Sequence, residues 1–248
     1  MKVALECPSS LLDEVQPLAD YDFALTHLVL SDEKYAEWYK NSKKFKVLDN
    51  STNELLKPCS LRDIEKAASI IKPDLIVPPD FLGDSLSTER ALNEAIKIFG
   101  KEKLLPVVQG HELKYTIECS GHIVELGFNK LAVPYDILSS RADDVTTMAT
   151  NRQRVINEII SRVPIGFRIH LLGMTTLEEL SLCNKGWVKS IDTGSPILHG
   201  LCDRKFGTDS LIPKNTPTLE LMDKCNLSYG LTDIYYNIAM LRKVCNHD

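Results

Sequence analysis

Residues 46–80 read KVLDNSTNELLKPCSLRDIEKAASIIKPDLIVPPD. Two short apolar runs, Lys46–Leu48 and Leu75–Val77, flank a segment in which Ser60 precedes Leu61, Ile64, Ala68 and Ile71 at helical spacing. Ser60 offers a side-chain oxygen to the first turn, and Asp63 stands at the reciprocal position of a capping box. A strand, a helix and a second strand in this order require a crossover, which makes the two strands parallel. Both runs are apolar without alternation, the pattern of strands covered on both faces. Each is followed closely by a carboxylate, Asp49 after the first and Asp80 after the second.

The same unit recurs along the chain. Strands are predicted at Val3–Leu5, Phe23–Leu30, Lys46–Leu48, Leu75–Val77, Leu105–Val108, Lys130–Val133, Arg168–Leu172 and Val188–Ile191. Between them, Ser87 precedes Ala91, Leu92, Ala95, Ile96 and Phe99, a pattern that stops at Gly100. Thr175 and Glu178 form another capping box, and a long helix is predicted over about residues 143–163. Eight such repeats predict an α/β protein of the (β/α)8 TIM-barrel class, with residues 1–200 as the catalytic core. Residues 201–248 add a loop and C-terminal helices to the same domain; the loop, from Ser195 to Asn215, leads to a helix start at Thr216-Pro217. The last helix places Leu231, Ile234, Tyr235, Ile238, Leu241 and Val244 on one stripe. An open doubly wound sheet is the alternative that periodicity leaves, although no G-x-G-x-x-G or Walker sequence follows any strand.

The 248 residues, 44% hydrophobic and 25% charged, suffice for a full core. The net charge of −5 argues against a broadly basic, nucleic-acid-coating surface but leaves room for a local basic groove. Glu6 interrupts the N-terminal apolar residues, so no signal peptide is expected, and no window reaches the length of a membrane span. The seven scattered cysteines fit reduced thiols, and the expected location is the cytoplasm. No C-x-C or C-x-x-C occurs, and Cys202, Cys225 and Cys245 lie far apart, so neither a structural zinc nor any other metal or cofactor is expected.

In a parallel barrel the chemistry lies at the carboxyl ends of the strands. Those ends supply Asp49, Asp80, Gln109, Tyr135 with Asp136, Gly173 with Met174, and Asp192. A single Asp at such a place often only caps the next helix. Three around one mouth point to function, and two carboxylates across a pocket suit cleavage of a glycosidic bond, one as nucleophile and one as acid and base.

The strand ends Val47-Leu48-Asp49-Asn50-Ser51, Pro79-Asp80, Pro106-Val107-Val108-Gln109-Gly110, Leu131-Ala132-Val133, His170-Leu171-Leu172-Gly173-Met174 and Ser190-Ile191-Asp192 resemble, in order, those of the tRNA-guanine transglycosylases and their DNA-acting relatives. The likeness spans about residues 47–196. It implies that Asp192 is the nucleophile at C1′ and Asp49 the general acid and base. It also implies a base-binding set of Asp80, Gln109, Gly110, Leu131, Leu172 and Gly173. His170, inside a strand, is expected to be a hydrogen-bonded core residue. The chain departs from the family after Asp49, where Asn50-Ser51-Thr52-Asn53 replaces Gly-Gly and an aromatic, and at Pro134-Tyr135-Asp136, which replaces Gly-Glu. Phe81 is one substitute for the missing aromatic.

Without the zinc signature the chain resembles the compact phage-type DNA enzymes, which implies DNA and a free 7-deazaguanine base, such as a 7-cyano or 7-formamidino derivative, as partners. A tRNA substrate, a nucleoside or glycoside hydrolase on the same barrel, and a non-catalytic transglycosylase subunit remain as alternatives. Phosphate contacts are expected from among Arg141, Arg152, Arg154, Arg204, Lys205 and Lys214, with Arg141, Arg204 and Lys205 favoured by their place on the rim.

Overall fold

Seven strands carry the fold among the described residues: β1 (Lys2–Leu5), β2 (Asp22–Leu25), β3 (Lys46–Asp49), β4 (Leu75–Ile76), β5 (Lys130–Pro134), β6 (Arg168–Leu172) and β7 (Val188–Thr193). The computed structural model describes residues 1–139, 143–174, 176–207 and 227–246. Every strand pairing is parallel, in the orders β2-β3-β4 and β1-β7-β6-β5, and helices stand between successive strands. The protein is therefore mixed α/β, built on parallel sheets.

Both strand faces are buried, and the two phases along the strands go to different places. Val3, Leu5, Leu48, Ile76, Leu131, Val133, Ile169, Leu171 and Ile191 join the helices in one large apolar cluster. The alternate residues Ala4, Phe23, Val47, Val77, Val107 and Ala132 form a second, smaller cluster of their own. This alternation follows from the two-residue period of a strand, and it decides which side chains reach the candidate site.

Three predicted elements differ from those observed. The run 23–30 is a strand only to Leu25 and continues as the helix Thr26–Ser31; an unbroken apolar run does not distinguish the two. Residues 105–108 form no strand among the described residues. The segment still makes parallel bridges, Leu104 to Ile76 and Val107 to Ala132, and Leu105 N donates to Ile76 O at 2.9 Å. Pro106 lacks an N–H and breaks its ladder, although its carbonyl accepts from Ala132 N at 2.8 Å. The predicted loop from Ser195 begins with a helix, Ser195–Leu201, that has Pro in its first turn.

Capping explains the helix starts. Ser60 accepts from Asp63 N as expected, and Gly100 ends Ser85–Phe99 with φ +77°. That helix is capped by Asp84 rather than Ser87, which instead donates its N–H to Asp84. Asp144 caps Val145–Ile160. Thr176, accepting from Glu179 N at 3.1 Å, caps Leu177–Leu182; the predicted partner Thr175 lies outside the described residues, as do Lys214, Thr216-Pro217, Cys225 and His247. On the last helix, Leu227–Asn246, the residues Ile234, Ile238 and Leu241 are buried and Tyr235 is exposed, at the edge of the predicted stripe. No helix among the described residues is long and apolar enough to cross a membrane.

Candidate active site

Asp192 lies near the end of β7 and is 2% exposed. Its Oδ1 accepts from Nε2 of His170, two residues before the end of β6, at 2.7 Å, and its Oδ2 accepts from Gly173 N at 3.1 Å. A ring that donates from Nε2 leaves Nδ1 to take the hydroxyl proton of Ser190, whose Oγ is 2.9 Å away. Phe23 stacks on the same imidazole at 6.0 Å between centroids. His170 is thus a hydrogen-bonded core residue, and the group it bonds is Asp192.

Gly173 is required here twice over. Its φ of +73° favours glycine, and a Cβ built there would lie 2.8 Å from Cδ1 of Tyr135. The turn is buttressed from behind by Arg152, whose Nη1 donates to Gly173 O at 2.9 Å and Leu172 O at 3.2 Å. The remaining guanidinium donors form a two-point pair with Glu179 at 2.5 and 2.6 Å, with both side chains fully buried. Arg152 was expected among surface phosphate contacts; it occupies instead the buried stripe of its helix with Met148, Val155, Ile156 and Ile159.

Across a common cavity from Asp192 stand Asp49 and Asp80. Asp49 ends β3; its Oδ2 accepts from Ser51 N at 2.6 Å, a turn made possible by Ser51 at φ +63°. Asp80 is held from behind. Asn50 and Thr52 donate to its Oδ1 at 2.7 and 3.1 Å, and Gln109 Nε2 donates to its Oδ2 at 2.5 Å. The other end of the Gln109 amide accepts from Gly83 N at 3.1 Å.

The cavity holds about 60 Å³ open to the centre of a water-sized sphere, several times the space one water needs. About 510 Å³ of empty space surrounds it and opens to solvent. Phe23, Leu25 and Leu172 give it an apolar wall, while Glu6, Glu54 and Asp136 add carboxyl groups to Asp49, Asp80 and Asp192. Tyr135 Oη donates to Asn53 Oδ1 at 2.9 Å, joining the segments that follow β5 and β3 at the cavity.

Burial and like charge shape the acids. Burial first, then the neighbouring Asp192, which is hydrogen-bonded to it, push the Glu6 carboxyl well above its ordinary range. Burial, then Glu54, with Asp192 and Asp80 further off, raise Asp49 well above the carboxylate range despite the opposing Ser51 N–H. Asp80 is also raised by burial, with the bonds from Asn50, Gln109 and Thr52 acting against it.

No family model matches this chain, and no curated protein does.

Of the residues anticipated from sequence, Asp49, Asp80, Leu172, Gly173 and Asp192 line this one cavity. Gln109 is buried behind it, against Asp80. Gly110 serves a close approach: a Cβ there would lie 2.6 Å from Thr116 N. Leu131 is out of phase with the cavity-facing residues of its strand and packs in the large cluster with the helices. Arg141 lies outside the described residues. Lys205 pairs with Asp233 at 3.4 Å and sits over the Tyr236 ring, and Arg204 O accepts from Asn237; both belong to the packing of the last helix, and neither lines the cavity. Phe81 is partly exposed and outside the lining; the aromatics present are Phe23 and Tyr135.

Glu6 was read in the sequence only as a break in an apolar stretch. The signal for its role is the phase of β1: Ala4 joins the smaller cluster, so Glu6, two residues on, faces the same side.

Proposed function

We propose that the protein is a (β/α)8-barrel enzyme that exchanges guanine in DNA for a 7-deazaguanine base through an ester on Asp192. Closure of the barrel is supported by the segment 104–108 bridging β4 and β5, and by Asp20 N donating to Val3 O at 2.8 Å between the strands β1 and β2. The observation that carries the activity is the pair Asp192 and Asp49, which line one cavity in opposite environments. Asp192 receives two donors from protein; Asp49 is crowded by carboxylates and binds its proton more tightly than a free aspartate. Two acids in unlike surroundings are a usual basis for dividing nucleophile from proton donor.

In this reading a carboxylate oxygen of Asp192 attacks C1′, the bond from C1′ to guanine breaks, and the bond's electron pair leaves with the base. Asp49 gives its proton to the departing guanine. The incoming base then attacks C1′ from the vacated side, its N–H proton passes to Asp49, and the ester bond returns its electrons to Asp192. Asp80 faces the N–H edge of the base, Gln109 acts through Asp80 by fixing its carboxylate, and Leu172 packs on the base face. Reaching C1′ in a duplex requires the nucleotide to be turned out of the stack. DNA is preferred over tRNA because the Cys-rich docking element that the tRNA enzymes carry is missing from the sequence.

Radiolabelled guanine tests this reading against its competitors. Label exchanged into duplex DNA without abasic sites supports it; net release of guanine identifies a hydrolase, and incorporation into tRNA alone assigns the other polymer.

A further inference from the structure

The strands enclose a second cavity at their amino ends, opposite the carboxylates. Its volume is about 310 Å³, against about 60 Å³ at the candidate active site. A barrel interior is normally filled there by a layer of side chains, and here the layer is divided into two unlike halves. One wall is apolar: Phe45, Val47, Leu75 and Leu105, with Phe45 51% exposed. The other carries three cations, Lys2, Lys130 and Arg168.

Lys130 and Arg168 are direct partners in the β5–β6 register, so two like charges sit side by side on one sheet face. Such a pairing is unfavourable unless something of opposite sign lies between them. Among the described residues the counter-charge is slight: the Glu102 carboxylate acts on Lys130 from outside the cavity lining and forms no ion pair with it. Among the described residues none of the three cations is in an ion pair. The one carboxylate in the lining, Asp20, is already held by Arg242 at 2.9 Å and by Val3 N at 2.9 Å. Arg168 reaches only Asn129 Oδ1, at 3.2 Å, and Lys130 Nζ only the carbonyl of Glu102, at 3.4 Å. Burial, reinforced by the Arg168 charge and opposed by Glu102, holds the Lys130 ammonium below its ordinary range. Ser190 and His170 complete the lining at the sheet.

We infer that this cavity binds a small organic anion, with a flat apolar body against Phe45, Leu75 and Leu105 and a phosphate or carboxylate between Lys130 and Arg168. The assignment is independent of the activity proposed above.

Calorimetric titration of the full chain with phenyl phosphate and with benzoate tests it, with phenol and inorganic phosphate as the two halves. One-to-one binding of at least one aromatic anion is expected, at least tenfold tighter than either half alone. A tighter phenyl phosphate assigns a phosphate head, a tighter benzoate a carboxylate. Lys130→Gln and Arg168→Gln, which keep chain length and are checked by circular dichroism, should each weaken binding at least tenfold. Asp49→Asn, whose side chain lines only the other cavity, should leave it unchanged. Failure of the native protein to bind either anion overturns the assignment, as does undiminished binding by the doubly substituted protein. Loss of binding in Asp49→Asn also overturns it, by placing the probe in the other cavity.

Discussion

Asp192 and Asp49 share a cavity but are held by different means. Around Asp192 the sequence supplies donors beside one acid, Glu6, that is hydrogen-bonded to it: His170 from the neighbouring strand, Gly173 N from a turn only glycine accommodates well, and the Arg152–Glu179 pair behind that turn. Around Asp49 it supplies acids, with Glu54, Asp192 and Asp80 near it and one backbone N–H opposing them. A carboxylate held between donors is positioned to attack, and one buried among carboxylates binds its proton more tightly than a free aspartate, which suits a proton donor. The contrast shows that residue type at a strand end does not assign the role; the neighbours do.

The contrast is broken most severely by removing the attacking group. Asp192→Asn should lower base exchange by on the order of 10⁴-fold or more while its circular dichroism spectrum stays native; near-full activity would remove Asp192 from the chemistry. Next comes the support behind it. Arg152→Met strands the Glu179 carboxylate in the core and should cost about 3–5 kcal/mol in urea unfolding, whereas Arg152→Met with Glu179→Leu should recover much of that loss. Equal losses in the single and double variants would show that the pair is not what stabilises the turn. Gly173→Ala, strained at φ +73° and pressed on Tyr135, should cost about 1–3 kcal/mol and lower exchange with it.

The acid side is sharpened by pH. Glu6 and Asp49 bind protons more tightly folded than unfolded, their values lying above the ordinary 4.5 and 3.8. Their contribution to stability is therefore complete below those ordinary values and is lost as pH rises through the raised ones. The helix caps Asp63, Asp84 and Asp144 are lowered and act in the opposite sense, losing their contribution only as pH falls below 3.8. Above about pH 5 the falling slope thus belongs to the crowded acids, and Glu6→Gln should flatten it in thermal melts between pH 5 and 8. An unchanged slope would separate Glu6 from the pair. The smallest effect is expected from Tyr135→Phe, which removes one exposed hydrogen bond to Asn53 and should change exchange by less than about tenfold.

Much of this was legible in residues 46–80 and their repeats. Parallel strands, most helix starts and the carboxylates at three strand ends follow from local pattern. What the sequence hid depends on phase and on partners distant along the chain. Leu131 was placed at the site because its motif is, but one step of strand alternation turns it to the helices. Glu6 lies 186 positions before Asp192 and meets it only because β1 pairs with β7. Arg152 stood on the apolar stripe of its helix, and that placement was the available sign of a buried ion pair. Pro106 was the sign that the fifth run would not ladder as a strand.

The direct test of the division of labour is to incubate the protein with duplex DNA in the absence of an incoming base, quench in denaturant, and map the adduct by peptide mass spectrometry. The account predicts a sugar-linked DNA ester on Asp192 that accumulates in the native protein, is absent in Asp192→Asn, and is discharged by added 7-deazaguanine base. An adduct on Asp49, or turnover of labelled guanine with no covalent species at either acid, would contradict it.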